Sequence, residues 1–287
     1  MFQRVPFFLL LCPVLLHARF FNWFETLSPK AERAIAALEK LEPQIEKAMK
    51  DFQVPGIAIG VVIDGHVIYS KGFGYRDIEQ KLPVTQETLF AIGSCTKAFT
   101  TFVIGNLVDE GRIGWDQPVI DILPEFRLWD QYATSNVTLR DLLTHRTGMP
   151  RHEFVWYNSK MSKHEMLKRI RYLQPSFEIR QRYQYGNLMY FIAGLAMELV
   201  AEKPWEEQIR ERILIPLEMR HTNFSIQDTQ ETDNFASPYL EKHDALKKIP
   251  FRNLSLIGPA GSINSNIDDM MHWLQMLLAG GVYKNQV

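Results

Sequence analysis

A serine and a lysine stand three residues apart in "FAIGSCTKAFT", where Ser94 and Lys97 begin a stretch with the apolar spacing of a helix. Residues three apart on a helix share a face, so the serine hydroxyl would lie beside the lysine amine. A serine is a weak nucleophile until a base removes its proton, and a lysine whose pKa is lowered by burial can be that base. Free N–H groups in the first helical turn stabilise the oxyanion formed when a carbonyl is attacked. The pair therefore predicts acyl chemistry on Ser94.

The alternative for the same pair is structural. Ser94 could cap the helix, and Lys97 could be a solvated helix residue. The pattern Ser-x-x-Lys has only two fixed positions, so it also arises by chance.

A second candidate element is "RYQYGNLMYFIAGL", in which Tyr185 and Asn187 precede a helix expected to start near Leu188. A phenol near a lysine ammonium can relay a proton, and an amide can hold a substrate carbonyl. The alternative is a buried tyrosine followed by a capping asparagine.

The elements that must position these residues follow from periodicity and turn signals. Ser28 is expected to cap a first helix that Pro43 could kink or split, and Asp64 with Gly65 predicts a hairpin turn. The predicted elements are a helix over 28–52, strands near 57–63 and 66–73, a helix from Ser94 to a stop at Gly111, helices over 163–172 and 188–202, a helix in "PWEEQIRERILIPLEM", a polar surface loop over 225–248, and a last helix that Ser265 and Asp268 begin and Gly280 stops.

Composition restricts the class of function. The chain has 287 residues, 46% of them hydrophobic, and a formal net charge of -1, so it can bury a large core and offers no basic surface for nucleic acid. The sequence contains no zinc-ligand spacing, phosphate-binding glycine loop or dinucleotide fingerprint, and we expect no metal or organic cofactor. The expected partner is a small-molecule or peptide substrate.

The N-terminus has the layout of a secretory signal peptide. One arginine precedes an apolar run over residues 5–16, no acidic residue appears before Glu25, and Ala18 suits a cleavage site. Residues 1–18 are therefore expected to be removed, leaving Cys95 as the one cysteine and a secreted or extracytoplasmic protein. An uncleaved anchor, which would attach the chain to a membrane, and an organellar presequence are the alternatives.

Several stretches together resemble the serine β-lactamase and penicillin-binding-protein superfamily, and most closely its class C β-lactamase and D-aminopeptidase branch. The stretches are "FAIGSCTKAFT", "VTLRDLLTHRTGMP", "YQYGNLMYFIAGL", "IPLEMRHTNFS" and "GPAGSINSNIDDMMHWLQMLL". The resemblance implies an α/β (α+β) domain over 19–287, with an antiparallel sheet flanked by helices and a mainly helical lobe. The sheet lobe would take 28–115 and 250–287, and the helical lobe 116–249.

The resemblance also implies roles for four residues. Ser94 matches the acylated nucleophile, Lys97 its proton-transfer partner, Tyr185 the second proton-transfer group and Asn187 the substrate-orienting amide. Which residue is the acylation base is disputed for such sites. The stretch around His145 is a structural turn in the family, and with no acidic partner evident we assign His145 no catalytic role.

The sequence departs from the family at its third motif. We find no K-T-G, K-S-G or H-x-G triplet after residue 260, which predicts either a fragment of a longer protein or a short natural form. The predicted function is a serine hydrolase acting on an amide, β-lactam or ester carbonyl. The alternatives are a catalytically silent secreted protein with a binding or matrix role, and an inactive fragment.

Overall fold

The computed structural model of the protein describes residues 27–243 and 245–284. The predicted signal peptide over 1–18 lies outside these residues, as does Cys12, so secretion stays a prediction. Among the helices in the described ranges, none combines the length and the apolar character needed to cross a membrane.

The chain alternates short strands with many helices. The helices are α1 (Pro29–Asp51), α2 (Thr96–Asp109), α3 (Val119–Ile122), α4 (Gln131–Asn136), α5 (Leu139–Leu143), α6 (Glu153–Trp156), α7 (Lys163–Ile170), α8 (Asn187–Ala201), α9 (Trp205–Ile209), α10 (Ile226–Gln230), α11 (Gly258–Gly261) and α12 (Ile267–Leu278). The strands are β1 (Gly56–Ile63), β2 (His66–Asp77), β3 (Leu82–Pro83), β4 (Phe90–Ala91), β5 (Tyr239–Lys242), β6 (Ala245–Lys248) and β7 (Asn264–Ser265).

The strands named above pair antiparallel, in the order β1-β2-β3, with the separate pairs β4-β7 and β5-β6. The predicted hairpin turn is present, and Asp64 and Gly65 both have positive φ, 52° and 81°. This geometry matches the right-handed twist of the two strands it joins. The prediction of a mixed fold with an antiparallel sheet and helices is confirmed.

Helices cover both faces of the main sheet. On one face, Glu42 of α1 accepts hydrogen bonds from the Tyr69 hydroxyl at 2.9 Å and the Lys71 amine at 2.6 Å. Ser70 lies between these two residues and donates to Asp268 of α12 at 3.3 Å. Because successive strand side chains point to opposite faces, α1 and α12 lie on opposite sides of the sheet.

The largest part of the core surrounds α2 and α8. Both helices are apolar on most sides, which is the pattern of helices buried within a domain. Phe99, Val103 and Leu107 of α2 are fully buried, and so are most residues of α8 between Leu188 and Met197. These two helices therefore form a rigid support for the groups at their N-terminal ends.

Two local predictions were wrong. The stretch over 225–248 is not a loop, because it contains α10 and the β5-β6 hairpin, whose exposed residues lack the apolar alternation that predicts strands. The last helix is capped by Asn266, whose side chain accepts from the Asp269 N–H at 2.9 Å, and Ser265 lies buried in β7. Of the two effects considered for Pro43, a split of the first helix is absent, because α1 continues through Pro43 as one helix.

The other elements follow the sequence closely. The first helix is capped by Ser28, and the hairpin strands and the helices at 163–170 and 187–201 lie where they were expected. The helix after Pro204 is shorter than predicted and continues as a π-helical turn over Arg210–Leu214. The boundaries of the two lobes stay a prediction.

Gly148 is expected to be among the least replaceable glycines. Its φ is +74°, and an added Cβ would lie 1.9 Å from the Phe177 carbonyl oxygen. We expect Gly148→Ala to lower the free energy of unfolding by at least about 3 kcal/mol, because a left-handed alanine costs about 1 kcal/mol and the clash adds more.

The matched control is Gly111→Ala. Gly111 has a similar φ of +71° with no atom near the added Cβ, so only the conformational cost of about 1 kcal/mol applies. Urea unfolding of both variants checks the difference. Equal losses of stability would show that the close approach at Gly148 is not what constrains the residue.

Candidate active site

Ser94 and Lys97 lie at the start of the buried helix α2, as predicted. A 3₁₀ turn over Gly93–Cys95 leads into α2, and Gly93 adopts a left-handed φ of 52° that lets the strand β4 turn sharply into the helix. Ser94 is exposed, whereas Lys97 is only 7% exposed. The hydroxyl therefore faces solvent and the amine lies beneath it.

The Lys97 amine is surrounded by three oxygen atoms. Its Nζ donates to Ser94 Oγ at 3.1 Å, to Asn187 Oδ1 at 2.9 Å and to the Ala260 carbonyl at 2.7 Å. An ammonium group has three N–H donors, so all three contacts are satisfied when Lys97 is charged. A neutral amine would keep two donors for Asn187 and Ala260 and direct its lone pair to the Ser94 hydroxyl.

The pKa of Lys97 is lowered from its ordinary value. Burial is the main cause, because it disfavours the charged ammonium, and the positive charge of Arg151 acts in the same direction. The neighbouring Tyr185 phenol opposes them and favours the ammonium. The net direction makes the neutral amine more accessible than in a solvated lysine.

Tyr185 and Asn187 reach the same point from the N-terminus of α8. The Tyr185 hydroxyl lies 2.5 Å from Ser94 Oγ, and the Lys97 amine lies 4.8 Å from the centre of the Tyr185 ring. The helix begins at Asn187 after Gly186, and the Asn187 side chain contacts Lys97. All four residues predicted from the sequence are therefore brought together, although Tyr185 is 91 residues from Ser94.

The segment before Tyr185 is tied to the helix α5. Arg180 donates from Nε to both oxygens of the Asp141 carboxylate and from Nη2 to one of them at 2.7 Å, and Thr138 forms a capping box with Asp141. Burial alone would raise the pKa of Asp141, but the Arg180 guanidinium and Thr138 hold it below its ordinary value. Asp141 thus stays ionised and holds the segment that precedes Tyr185 through Arg180.

The helix α11, which lies in one of the stretches that resemble the family but was assigned no site residue, completes the surroundings of Lys97. Its Ala260 carbonyl accepts from Lys97, and its Pro259 carbonyl accepts from Thr100 Oγ1 at 2.8 Å. Pro259 packs directly on Gly194 of α8, where an added Cβ would lie 2.2 Å from the proline ring. A backbone carbonyl leaves no signature in residue types, so the contact of Ala260 with Lys97 was not predicted, although the segment belongs to a stretch that resembles the family.

The exposed Ser94 opens the site to solvent. A cavity of about 500 Å³ lies elsewhere, lined by Phe102, Arg212, Met276 and Tyr283 among others, and none of the four site residues lines it. The chemistry at Ser94 is therefore assigned from the hydrogen-bonded cluster and not from cavity size.

The cluster has the parts that activate a serine. A serine hydroxyl at the start of the helix contacts a buried amine and a phenol, and the amine is in turn hydrogen-bonded to an amide and a carbonyl. A nucleophile within hydrogen-bond reach of a base that a third group orients is the general arrangement for covalent catalysis. The Ser94 N–H lies in the turn where N–H groups lack partners within the helix, which suits an oxyanion.

Comparison with known proteins gives the family of the chain. Residues 41–286 match the family model Beta-lactamase. The chain is 35% identical over 246 residues to Unguisins hydrolase ungD' of Aspergillus campestris, covering 82% of this chain and 46% of the relative. It is 26% identical over 253 residues to Protein flp of Staphylococcus aureus, covering 84% of this chain and 49% of that protein. The chain thus spans about half the length of these curated relatives.

Solved structures show the same fold. The octameric penicillin-binding protein homologue from Pyrococcus abyssi is similar with a TM-score of 0.76 and 31% identity, covering 85% of this chain and 57% of that one. EstCE1, a hydrolase with promiscuous acyltransferase activity, is similar with a TM-score of 0.77 at 19% identity, covering 89% of this chain and 75% of that one.

Proposed function

The chain belongs to the beta-lactamase family, and from that premise we propose that it is a serine hydrolase in which Ser94 is acylated by an amide, β-lactam or ester. The observation that supports this most directly is the placement of the Ser94 hydroxyl between the Lys97 amine, at 3.1 Å, and the Tyr185 hydroxyl, at 2.5 Å. The relatives named as hydrolases support the same class of reaction.

In the proposed reaction Ser94 Oγ attacks the carbonyl carbon while its proton passes to Lys97, directly or through Tyr185. A bond forms between Oγ and carbon, and the carbonyl electron pair moves to oxygen, where the Ser94 N–H stabilises the negative charge. The tetrahedral intermediate then expels the amine or alcohol, which takes the proton back. Water attacks the acyl-enzyme, and the acid leaves as Ser94 regains its proton.

Asn187 serves the substrate in this proposal and Lys97 at the same time. Its Oδ1 accepts from Lys97, which fixes the amide plane. The Nδ2 group of a side-chain amide is a donor, so it is suited to hold a substrate carbonyl beside Ser94. The expected substrate is a small molecule or a peptide.

The proposal is tested by covalent labelling of the full chain. We expect a fluorophosphonate probe to add once to the folded protein, with Ser94 Oγ displacing fluoride, and peptide mapping to place the adduct on Ser94. Protein unfolded by heat before the probe is added serves as the control and should not react. A folded protein that stays unlabelled, or an adduct on another residue, would refute the proposal.

A further inference from the structure

One buried histidine holds the chain on both sides of Tyr185. The His145 carbonyl accepts from the Gln184 N–H at 2.8 Å, and its ring Nδ1 accepts from the Gly186 N–H at 3.3 Å. The two donors are the residues directly before and after Tyr185. The His145 ring also lies against the Tyr185 ring, with the centroids 4.6 Å apart.

The backbone of His145 makes this double contact possible. Its φ is 59°, in the left-handed region that residues other than glycine rarely adopt. Such a conformation persists where the surrounding structure determines it. His145 is 6% exposed, and its ring also contacts the rings of Tyr183 and Tyr190. The left-handed turn allows the carbonyl and the ring to reach the same short segment.

The contact to Gly186 defines the protonation state of the ring. A ring nitrogen that accepts a hydrogen bond carries no proton, so the neutral ring has its proton on Nε2. Burial, aided by the positive charge of Lys97, lowers the pKa of His145 to about 4. The ring is therefore neutral at physiological pH, and Nδ1 remains an acceptor.

The precision of the Tyr185 position matters for the reaction. Proton transfer needs donor and acceptor within about 2.6–3.2 Å, and a displacement of about 1 Å can cost about a hundredfold in rate. The Tyr185 hydroxyl lies 2.5 Å from Ser94 Oγ, whereas Tyr185 belongs to an irregular segment that precedes α8. A residue that fixes this segment would therefore control the distance between the Tyr185 hydroxyl and Ser94 Oγ.

We propose that His145 is a positioning residue, whose carbonyl and ring Nδ1 hold Gln184 and Gly186 so that the Tyr185 hydroxyl stays against Ser94. The inference rests on the proposed serine-hydrolase function. His145 touches no reacting atom in this role, and it acts only through Tyr185.

Two substitutions separate the ring acceptor from the backbone conformation. Glycine and asparagine both tolerate a left-handed φ, but only asparagine offers a side-chain oxygen near the position of Nδ1. We expect His145→Gly to lower the rate constant of fluorophosphonate labelling by about 10- to 100-fold. We expect His145→Asn to stay within about threefold of the unchanged protein. Equal rates for all three proteins would overturn the proposal.

A double-mutant cycle tests whether the effect passes through Tyr185. In a Tyr185→Phe background the phenol is gone, so His145→Gly should cause little further loss. A loss as large as in the unchanged background would show that His145 acts in another way. Circular dichroism and melting temperatures of each variant establish that the rates are measured on folded protein.

A measurement without any substitution separates this inference from the proposed function. The nitrogen-15 chemical shifts of the His145 ring should show an unprotonated Nδ1 and a protonated Nε2. A proton on Nδ1 would overturn the positioning role even if labelling occurs. An unlabelled protein with the expected ring state would refute the proposed function and leave the contact to Gly186 confirmed.

Discussion

Replacing Ser94 with alanine is expected to abolish labelling by the fluorophosphonate probe and to remove turnover of activated esters at this site. The hydroxyl is the only group in the proposed reaction that forms a bond to the substrate, so no neighbouring residue can compensate for its loss. The fold should remain, because Ser94 is exposed and Lys97 keeps its hydrogen bonds to Asn187 and the Ala260 carbonyl. Intact mass after incubation with the probe measures the effect.

The matched control for this variant is Cys95→Ala. Cys95 is the next residue, it is exposed, and a thiol is a stronger nucleophile than a hydroxyl. It is therefore the rival that could react in place of the serine. We expect Cys95→Ala to be labelled at the rate of the unchanged protein. Labelling that survives in Ser94→Ala and disappears in Cys95→Ala would assign the reactivity to the thiol.

The parts of the site that sequence predicted are those whose chemistry lies in side-chain types. Helical geometry predicts from their spacing that Ser94 and Lys97 share a face, and the structure places Lys97 Nζ 3.1 Å from Ser94 Oγ. The contact of both with Tyr185 follows only from tertiary packing. Periodicity cannot predict this contact. The place of Tyr185 in the site was inferred from the resemblance to a family.

The parts that sequence missed are those where backbone groups act. The Ala260 carbonyl contacts Lys97 more closely than any side chain does, yet any residue type could provide it. The role of His145 likewise depends on a left-handed φ of 59° and on its own carbonyl, neither of which a residue type reveals. Local sequence gives weak signals for such contacts, since they form only when distant elements pack.

The elements of the fold likewise divide into those that the sequence predicted and those that it missed. Elements with a buried face were predicted, among them the β1-β2 hairpin and α8, because burial imposes a period of two or of 3.6 on the apolar residues. The β5-β6 hairpin was missed, since Leu240 is 53% exposed and the polar residues around it show no alternation. Its pairing is stabilised by backbone hydrogen bonds that the residue pattern does not encode.

Replacing Lys97 with alanine is expected to lower the labelling rate constant by about 100- to 10,000-fold, the range typical of a lost proton-transfer group. Three contacts disappear with the amine, to Ser94, Asn187 and the Ala260 carbonyl. A lower labelling rate alone does not show whether Lys97 acts as a base or as a cation that orients Ser94. The variant is therefore combined with a pH profile and with chemical rescue. Retention of more than about a tenth of the rate would contradict the role.

The burial of Lys97 determines where on the pH scale the labelling rate should rise. Labelling by the unchanged protein requires the neutral amine, so the rate rises with pH as Lys97 loses its proton. Because burial lowers the pKa of Lys97, the rise should be complete below the pH at which an ordinary lysine, with a pKa of about 10.4, loses its proton. Lys97→Ala should lack this rise. A rise that persists unchanged in the variant would assign the titration to another group.

Rescue by small amines decides between the two roles of Lys97. Alanine leaves a space beneath the exposed Ser94, into which a primary amine such as ethylamine can diffuse. If Lys97 is the base, the restored rate should follow the concentration of uncharged ethylamine, and therefore increase with pH through the pKa of that amine. Guanidinium keeps its proton over the whole pH range of the assay, so it cannot supply a base and should restore nothing. Equal rescue by both would mean that Lys97 acts by its charge, leaving Tyr185 as the group that takes the proton from Ser94.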